Sequence, residues 1–372
     1  MTTGVVVRPV RTAADLRAFI GFPYRLQRGD PFWVPPLRMD VRKLLSREKN
    51  PFFQHADAEY FLASARGEVA GRIAAIHNRA HNEFHGDTAG FFGFFECIDD
   101  QAAADALFAA AAGWLKPRGL TLMRGPASFS TNDECGVLVD GFDTPPTVMN
   151  SHNPPYYVSL IERAGFANAK DLIQYQSTQT QMPERLVRGA RLIAERKGIT
   201  LRKLDMKHFA AEVARIKQVY NKAWERNWGF VPMTDAEIDH MAAQLKPVVV
   251  PDLVAFAERQ GETIGFAAAL PDLNVALKRN PSGRLFPGIL KILWAARNIT
   301  RIRIILLGLL PDYRMTGADA LMYHWIWEKG YALGYRWAEA GWILEDNTAM
   351  TNALVRMGFQ PYKTLRLYDR PL

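Results

Sequence analysis

Cysteine is nearly absent from this chain of 372 residues. It has two, Cys97 and Cys135, and neither stands in a CxxC pair. That argues against a disulfide framework or a thiolate zinc site and fits a reducing, cytoplasmic setting. Long apolar runs are missing as well. No stretch reaches the roughly eighteen uninterrupted apolar residues a membrane-spanning helix needs. The nearest approach, "RLFPGILKILWAARNI" at 284–299, is broken by Pro287 and Lys291. The opening "MTTGVVVRPVRTAADL" has no charged leader followed by an apolar segment, so no ordinary secretory signal is expected. No recognition-helix motif and no dense basic tract occur, so sequence-specific DNA binding is poorly supported.

What is present is a foldable, mildly basic chain. With 48% hydrophobic and 11% aromatic residues it can bury a large core, and its length suggests two domains. The formal net charge of +8 favours anionic partners such as phosphates, acidic membrane surfaces or nucleic acid, without choosing among them.

The periodicities describe one layout used twice. The first half reads as a strand ("GVVVRPV"), a helix, a proline-rich connection and a hairpin-like pair ("EYFLASARG", "EVAGRIAAIHN"). An aromatic strand ("GFFGFFEC"), an alanine-rich helix, the strand "TLMRGPAS" and a short helix running into a Gly-Phe turn follow. The second half repeats this order through "DLVAFAERQGETIGFAAALPD", the buried strand "RIRIILLGLLP", a helix, the strand "RWAEAGWIL" and "NTAMTNALVRMGF". The pattern gives domains at 1–180 and 181–372, linked near 177–192.

The stretch "PDYRMTGADAL" at 311–321 joins a buried strand to a helix. Backbone N–H groups at a helix start, with the positive dipole end behind them, suit a diphosphate. Arg314 can add a cationic contact and Gly317 allows close approach of the main chain. An ordinary N-capped helix after a strand is the competing reading. Asp319 could cap the free amides and compete with an anion for them. The corresponding turn of the first half, "ECIDDQAAADAL", lacks glycine and presents Glu96, Asp99 and Asp100, which would repel one.

The element order, "RMTG", "EDNTAM" and "ALVRMGF" together resemble the core of the GNAT acyltransferases, over roughly 190–372 closely and 5–175 in outline. The text is further similar to the two-GNAT proteins that include bacterial ceramide synthases, in "NPFFQHADAEYFLA", "GFFGFFECIDD", "GPASFSTNDECGVLVDGFDTPP" and "LLGLLPDYRMTGADALMY". The resemblance implies an α/β fold with a mixed sheet in two tandem GNAT-like domains, the first degenerate. It implies acyl-CoA as co-substrate, held by Leu309, Leu310, Arg314, Met315, Thr316, Gly317, Ala318, Asp319 and Asn347. The family pattern Arg/Gln-x-x-Gly-x-Gly/Ala runs here as Arg314 to Asp319, and its last position departs. The acyl carbonyl would lie against the strand ends Leu309–Leu310 and Trp342–Leu344. A sphingoid-type amine would be the acceptor, attacking directly.

Removing the proton from that amine calls for a base. Glu345, at the mouth of the second strand, is the first candidate, then Glu339 and Asp272. Leu354 stands where many GNAT enzymes carry a tyrosine acid, leaving Tyr323, Tyr362 or water to protonate the thiolate. About thirty residues are inserted before "RIRII", and their amphipathic part, including Trp294, suits a bilayer surface, a lipid tunnel cover or a helix packed on its own domain. Asn132 and Glu134, in the polar loop 130–146, could bind a polar head or serve the loop itself; Trp342 completes the expected substrate set. His77, His81 and His85 are spaced like a helical metal face, but no fourth ligand is evident and no metal is expected.

Two other functions fit the same layout: an aminoacyl-tRNA-dependent transferase of the peptidoglycan-building type, or a non-catalytic lipid-binding double-GNAT protein. The leading expectation is an N-acyltransferase of the cytoplasm or the inner membrane surface, with a lipid amine as acceptor and no nucleic-acid partner.

Overall fold

A computed structural model describes residues 4–179, 182–314 and 316–372. In chain order the elements are β1 (Val6–Pro9), α1 (Ala13–Leu26), α2 (Arg38–Leu44), β2 (Ala56–Ala65), β3 (Glu68–Asn78), α3 (Arg79–His85), β4 (Ala89–Cys97), α4 (Gln101–Leu115), β5 (Leu122–Gly125), β6 (Val137–Asp140), α5 (Tyr156–Arg163) and β7 (Ala167–Ser177). Then come α6 (Glu184–Lys197), β8 (Ile199–Lys203), α7 (Phe209–Trp224), α8 (Asp235–Leu245), β9 (Val254–Arg259), β10 (Glu262–Pro271), α9 (Asn274–Leu277), α10 (Leu285–Ala296), β11 (Arg301–Leu309), α11 (Ala318–Ala332), β12 (Trp337–Leu344), α12 (Thr348–Arg356) and β13 (Gln360–Pro371). The order read from the periodicities is present in both halves.

The chain forms two compact units. The first holds residues up to Leu172 together with Ala276–Ala295 and Lys363–Leu372; the second holds Ile173–Val275 and Ala296–Tyr362. Both β7 and β13 therefore contribute residues to each unit.

In the first unit β1, β2, β3 and β4 are successive antiparallel neighbours and β5 runs parallel to β4. The chain's last strand pairs antiparallel with β5, placing Tyr368 opposite Gly125, and β6 pairs with it further along. Helix α4 begins at Asp100, whose carboxylate accepts the amide of Ala103 at 3.1 Å. Its small buried residues Ala103, Ala104 and Ala111 let Leu107 and Phe108 reach the sheet, where Phe108 packs on Phe92, Phe95 and Phe166.

In the second unit β8, β9, β10 and β11 are antiparallel neighbours and β12 runs parallel to β11. Alternation along β9 explains how both sheet faces are covered. Ala255 and Ala257 face a core with Met322, Ile326 and Phe359, whereas Val254 and Phe256 face a second core with Val219, Tyr220 and Phe230. One face carries α11, the other α7 and α8.

Parallel pairing ends early in each unit, with different sequels. β11 and β12 are in register from Arg301–Trp337 to Ile304–Ala340, although they run on to Leu309 and Leu344. Their later residues form no pairs with one another among the described residues, so the strands part there. β4 and β5 pair from Ala89–Leu122 to Phe91–Arg124, but the chain beyond β5 turns back: the Ala127 amide donates to the Phe92 carbonyl at 2.8 Å. A Cβ on Gly93 would lie 2.1 Å from the Ala127 carbonyl oxygen, which shows how closely this segment covers the gap.

Candidate functional site

The turn between β11 and α11 leaves amides without acceptors among the described residues. Leu310 still donates to Ile264 at 2.9 Å, then a 3₁₀ turn at Pro311–Tyr313 ends the strand direction. The hydroxyl of the buried Thr316 donates to the Tyr313 carbonyl at 2.6 Å and fixes the loop. Gly317 occupies the N-cap of α11 with φ of 78° and supplies no side-chain cap. The first helical amide bond is Leu321 to Gly317, at 3.1 Å. Among the described residues, no acceptor takes the amides of Thr316, Gly317, Ala318, Asp319 or Ala320. Asp319 is thus not spent on capping; its charge instead acts on Tyr323, whose hydroxyl is held above the ordinary phenol range mainly by burial and then by Asp319. Met315 lies outside the described residues.

Arg314 is exposed, and one guanidinium nitrogen donates to the Ala223 carbonyl at 2.9 Å, at the end of α7. That bond holds the arginine beside the turn with other N–H donors left over. The equivalent helix of the first unit is closed, because Asp100 caps it. Glu96, which sequence placed near that turn, points into the unit: it accepts from the Tyr157 hydroxyl at 2.7 Å and Gln27 at 3.1 Å, with Arg72 at 3.6 Å.

The proton-transfer candidates separate into two places. Glu345 is exposed just beyond β12, at the end where the strands part. Asn347, next to it, accepts the Met350 amide at 3.2 Å and caps α12. Asp272, Glu339 and Tyr362 gather at the paired part of β11 and β12, beside Arg301 and Arg303, six to eight residues and roughly 20–26 Å of strand from Leu309. There Asp272 lies 3.6 Å from Arg301, which stacks on Trp337 at 3.8 Å. Arg303 meets the fully buried Glu339 at 3.1 Å and donates to the Gly341 carbonyl at 2.9 Å. The Tyr362 hydroxyl donates to Glu339; burial first, and Glu339 second, push its ionisation far above the usual phenol range. A small apolar pocket lined by Ile302, Ile304, Ile326, Trp327, Tyr335 and Trp337 sits at this end too, away from the turn.

Leu309 is buried, Leu310 and Trp342 are half-buried, and Leu344 is buried along the parting strands. Leu354 is fully buried in the core, as a leucine at that helix position should be. Asn132, Glu134 and Trp294 belong to the first unit. The loop carrying Asn132 and Glu134 is tied by its own backbone, Ser128 to Glu134 at 2.9 Å and Gly136 to Pro126 at 2.8 Å. The histidine spacing does not make a helical face: His77 lies in β3, Asn78 caps α3, and only His81 and His85 sit on that helix. Among the described residues no group of three or more His, Cys, Asp or Glu could hold a metal ion.

Sequence reading missed a half-buried pair in the first unit, His152 with Asp30 at 2.7 Å. Burial depresses the imidazole's basicity, and Asp30 partly restores it. The two are 122 residues apart, and no local pattern links them.

Two repeats of strands, helix and parting strands, one closed and one open at its helix start, make this a tandem GNAT-type protein. No protein-family model matches the chain. By structure it is similar to the tandem GNAT protein of the clavulanic acid biosynthesis pathway, with a TM-score of 0.57 and 11% identity over 99% of this chain and 98% of that one. A GCN5-related N-acetyltransferase from Sphaerobacter thermophilus gives 0.54 and 14% over 99% and 95%. These likenesses show the fold. By sequence the chain is 38% identical to the bacterial ceramide synthase of Caulobacter vibrioides over 98% of this chain and 97% of that protein, and 35% identical to Escherichia coli YghO over 99% and 95%. The chain belongs to the family of which these two proteins are members, and its fold is that of the tandem GNAT proteins.

Proposed function

We propose that this protein is an N-acyltransferase whose second unit binds an acyl-CoA and transfers its acyl group to the amine of a sphingoid-type lipid. The observation that carries the reading is the uncapped start of α11, at the end of β11 where its parallel partner departs. The amides of Thr316 to Ala320 and the spare donors of Arg314 fit the diphosphate, and the unpaired edge of β11 fits the pantetheine arm. Bound there, the thioester supplies an activated acyl carbonyl.

The chain's own residues then have three tasks. Backbone N–H groups of β11 beyond Ile304 stabilise the developing oxyanion. Glu345, at the open end of the strands, takes a proton from the acceptor ammonium so that its lone pair can attack. Asp272, Glu339 and Tyr362, tied into Arg301 and Arg303, hold the paired end of the sheet. The thiols of Cys97 and Cys135 are buried and burial pushes Cys97 up to about 12, so neither is prepared to carry the acyl group and transfer is direct.

The lipid acceptor follows from family membership beside a protein named for ceramide synthesis. The test offers the purified protein acyl-CoAs from two to eighteen carbons with sphinganine, its 3-keto precursor or a soluble amine, and measures thiol release and amide product by mass spectrometry. Long-chain amide formation on a sphingoid base supports the reading. Consumption of charged tRNA, or lipid binding without acyl-CoA binding, contradicts it.

A further inference from the structure

The insertion between β10 and β11 presents two faces. Its leading loop is seated on the first unit: Arg38 donates to the carbonyls of Gly283 and Ser282 at 2.9 and 2.8 Å, and Asn280 donates to the Arg284 carbonyl at 2.8 Å. Behind this loop α10 turns Gly288, Ile292 and Ala295 inward, at helical spacings of four and three. A Cβ on Gly288 would fall 2.3 Å from the Asn280 side chain, so the helix lies tightly on that residue.

The outward face is apolar and uncovered. Phe286 is 74% exposed, Leu290 72%, Trp294 66% and Leu293 57%. Single exposed apolar residues are ordinary, but Leu290, Leu293 and Trp294 on one short helix, with Phe286 as the extended residue just before it, form a patch that a water-facing surface does not explain. The insertion's own charge has one sign. From residue 273 to 311 the chain has no acidic residue, while Lys278, Arg279, Arg284, Lys291 and Arg297 are exposed. The continuous helical part of α10, Pro287 to Ala296, is about 15 Å long, too short to cross a bilayer. Apolar side chains flanked by the exposed Arg284, Lys291 and Arg297 match the boundary between acyl chains and anionic headgroups.

We propose that α10 lies flat on an anionic lipid bilayer, with Phe286, Leu290, Leu293 and Trp294 entering the acyl boundary and the basic residues meeting headgroup phosphates. This stands apart from the acyl-transfer reading, because it uses no residue assigned to the turn or to proton transfer, and of the expected substrate set only Trp294. A protein that consumes a membrane-soluble amine would gain access to it there, but the surface exists whether or not that reaction does.

The experiment is flotation of the intact protein with vesicles of phosphatidylcholine alone or with one-third phosphatidylglycerol, at low and high salt. The wild type should float with anionic vesicles and bind neutral ones far less. The triple variant L290S/L293S/W294S should bind at least about a hundredfold more weakly, from loss of buried apolar area. Lys291→Glu should weaken binding to anionic vesicles about fivefold or more and leave the neutral ones unaffected. Circular dichroism and acyl-CoA binding establish that the variants are folded. Unchanged flotation of the folded triple variant, failure of the wild type to float, or concentration-dependent dimers that the triple variant abolishes would each overturn the proposal, the last by naming a second copy as the occupant.

Discussion

The missing Cβ of Gly317 would stand 3.1 Å from the Cα of Ala190 and 3.2 Å from its carbonyl oxygen, so the backbone of α6 closes one side of the turn. Gly317 also has φ of 78°. A side chain there meets backbone that cannot swing away and adds the penalty of a left-handed conformation, about 1–2 kcal/mol. Gly317→Ala should therefore lower stability by about 1–3 kcal/mol in urea titration and weaken acyl-CoA binding at least tenfold in calorimetry. Retention of full affinity would separate the turn from the ligand.

Asp319 gives a prediction with two opposite signs. Its carboxylate stands in the first turn of α11 without capping any amide, where it favours the helix and opposes an incoming anion. Asp319→Asn should cost about 0.3–1 kcal/mol of stability and yet tighten acyl-CoA binding several-fold. Weaker binding in the variant would mean that Asp319 helps to hold the ligand.

The carboxylates can be told apart by stability. Removing the charge of the fully buried Glu339 takes the counter-charge from Arg303, which lies 3.1 Å away. Glu339→Gln should cost about 3–5 kcal/mol. Glu345→Gln, at an exposed position, should leave unfolding unchanged and lower kcat by roughly a hundredfold or more, as for a lost general base. If Glu345→Gln turns over normally, the proton leaves by another route.

Acid should loosen the first unit through His81. Burial is the main cause that lowers its imidazole from 6.5 to about 4, with Asp87 and His85 as neighbours. The folded value is depressed, so the stability it contributes is whole above pH 6.5 and is lost as pH falls through 4. That loss is on the order of 3 kcal/mol. His81→Gln should flatten the wild-type fall in stability between pH 6.5 and 4, read from denaturant midpoints; an unchanged slope would assign that fall to other groups.

The repeated order of elements was legible because it is local. Period-two alternation in β9 and β10, the alanine-rich α4 and the Gly-Phe ends each carry their signal within a dozen residues. The turn at 311–321 was legible in the same way, through Gly317 and the strand and helix on either side. What escaped was non-local. Nothing in "RNPSGRLFPG" announces that it rests on Arg38, nor in "TLRLYDRPL" that Tyr368 lies opposite Gly125. The first unit's shortage of anion-holding amides was inferred from its acidic residues; the structure adds that Asp100 caps the helix and Ala127 covers the strand gap. The helical spacing of His77, His81 and His85 does not become one helix face because Asn78 ends a strand between His77 and His81. Sequence ranked Glu339 and Asp272 behind Glu345 by their place along the strands, but not by environment. Burial and the pairing with Arg303 and Arg301, which depend on register across strands, set them apart.

Hydrogen–deuterium exchange tests the central claim most directly, by following the peptide that spans 311–321 with and without a non-hydrolysable acyl-CoA. The account predicts that the amides of Thr316 to Ala320, open in the free protein, become protected on binding, while the α4 start at 100–103 does not change. Saturating ligand that binds yet leaves 311–321 exchanging at its free rate would contradict it.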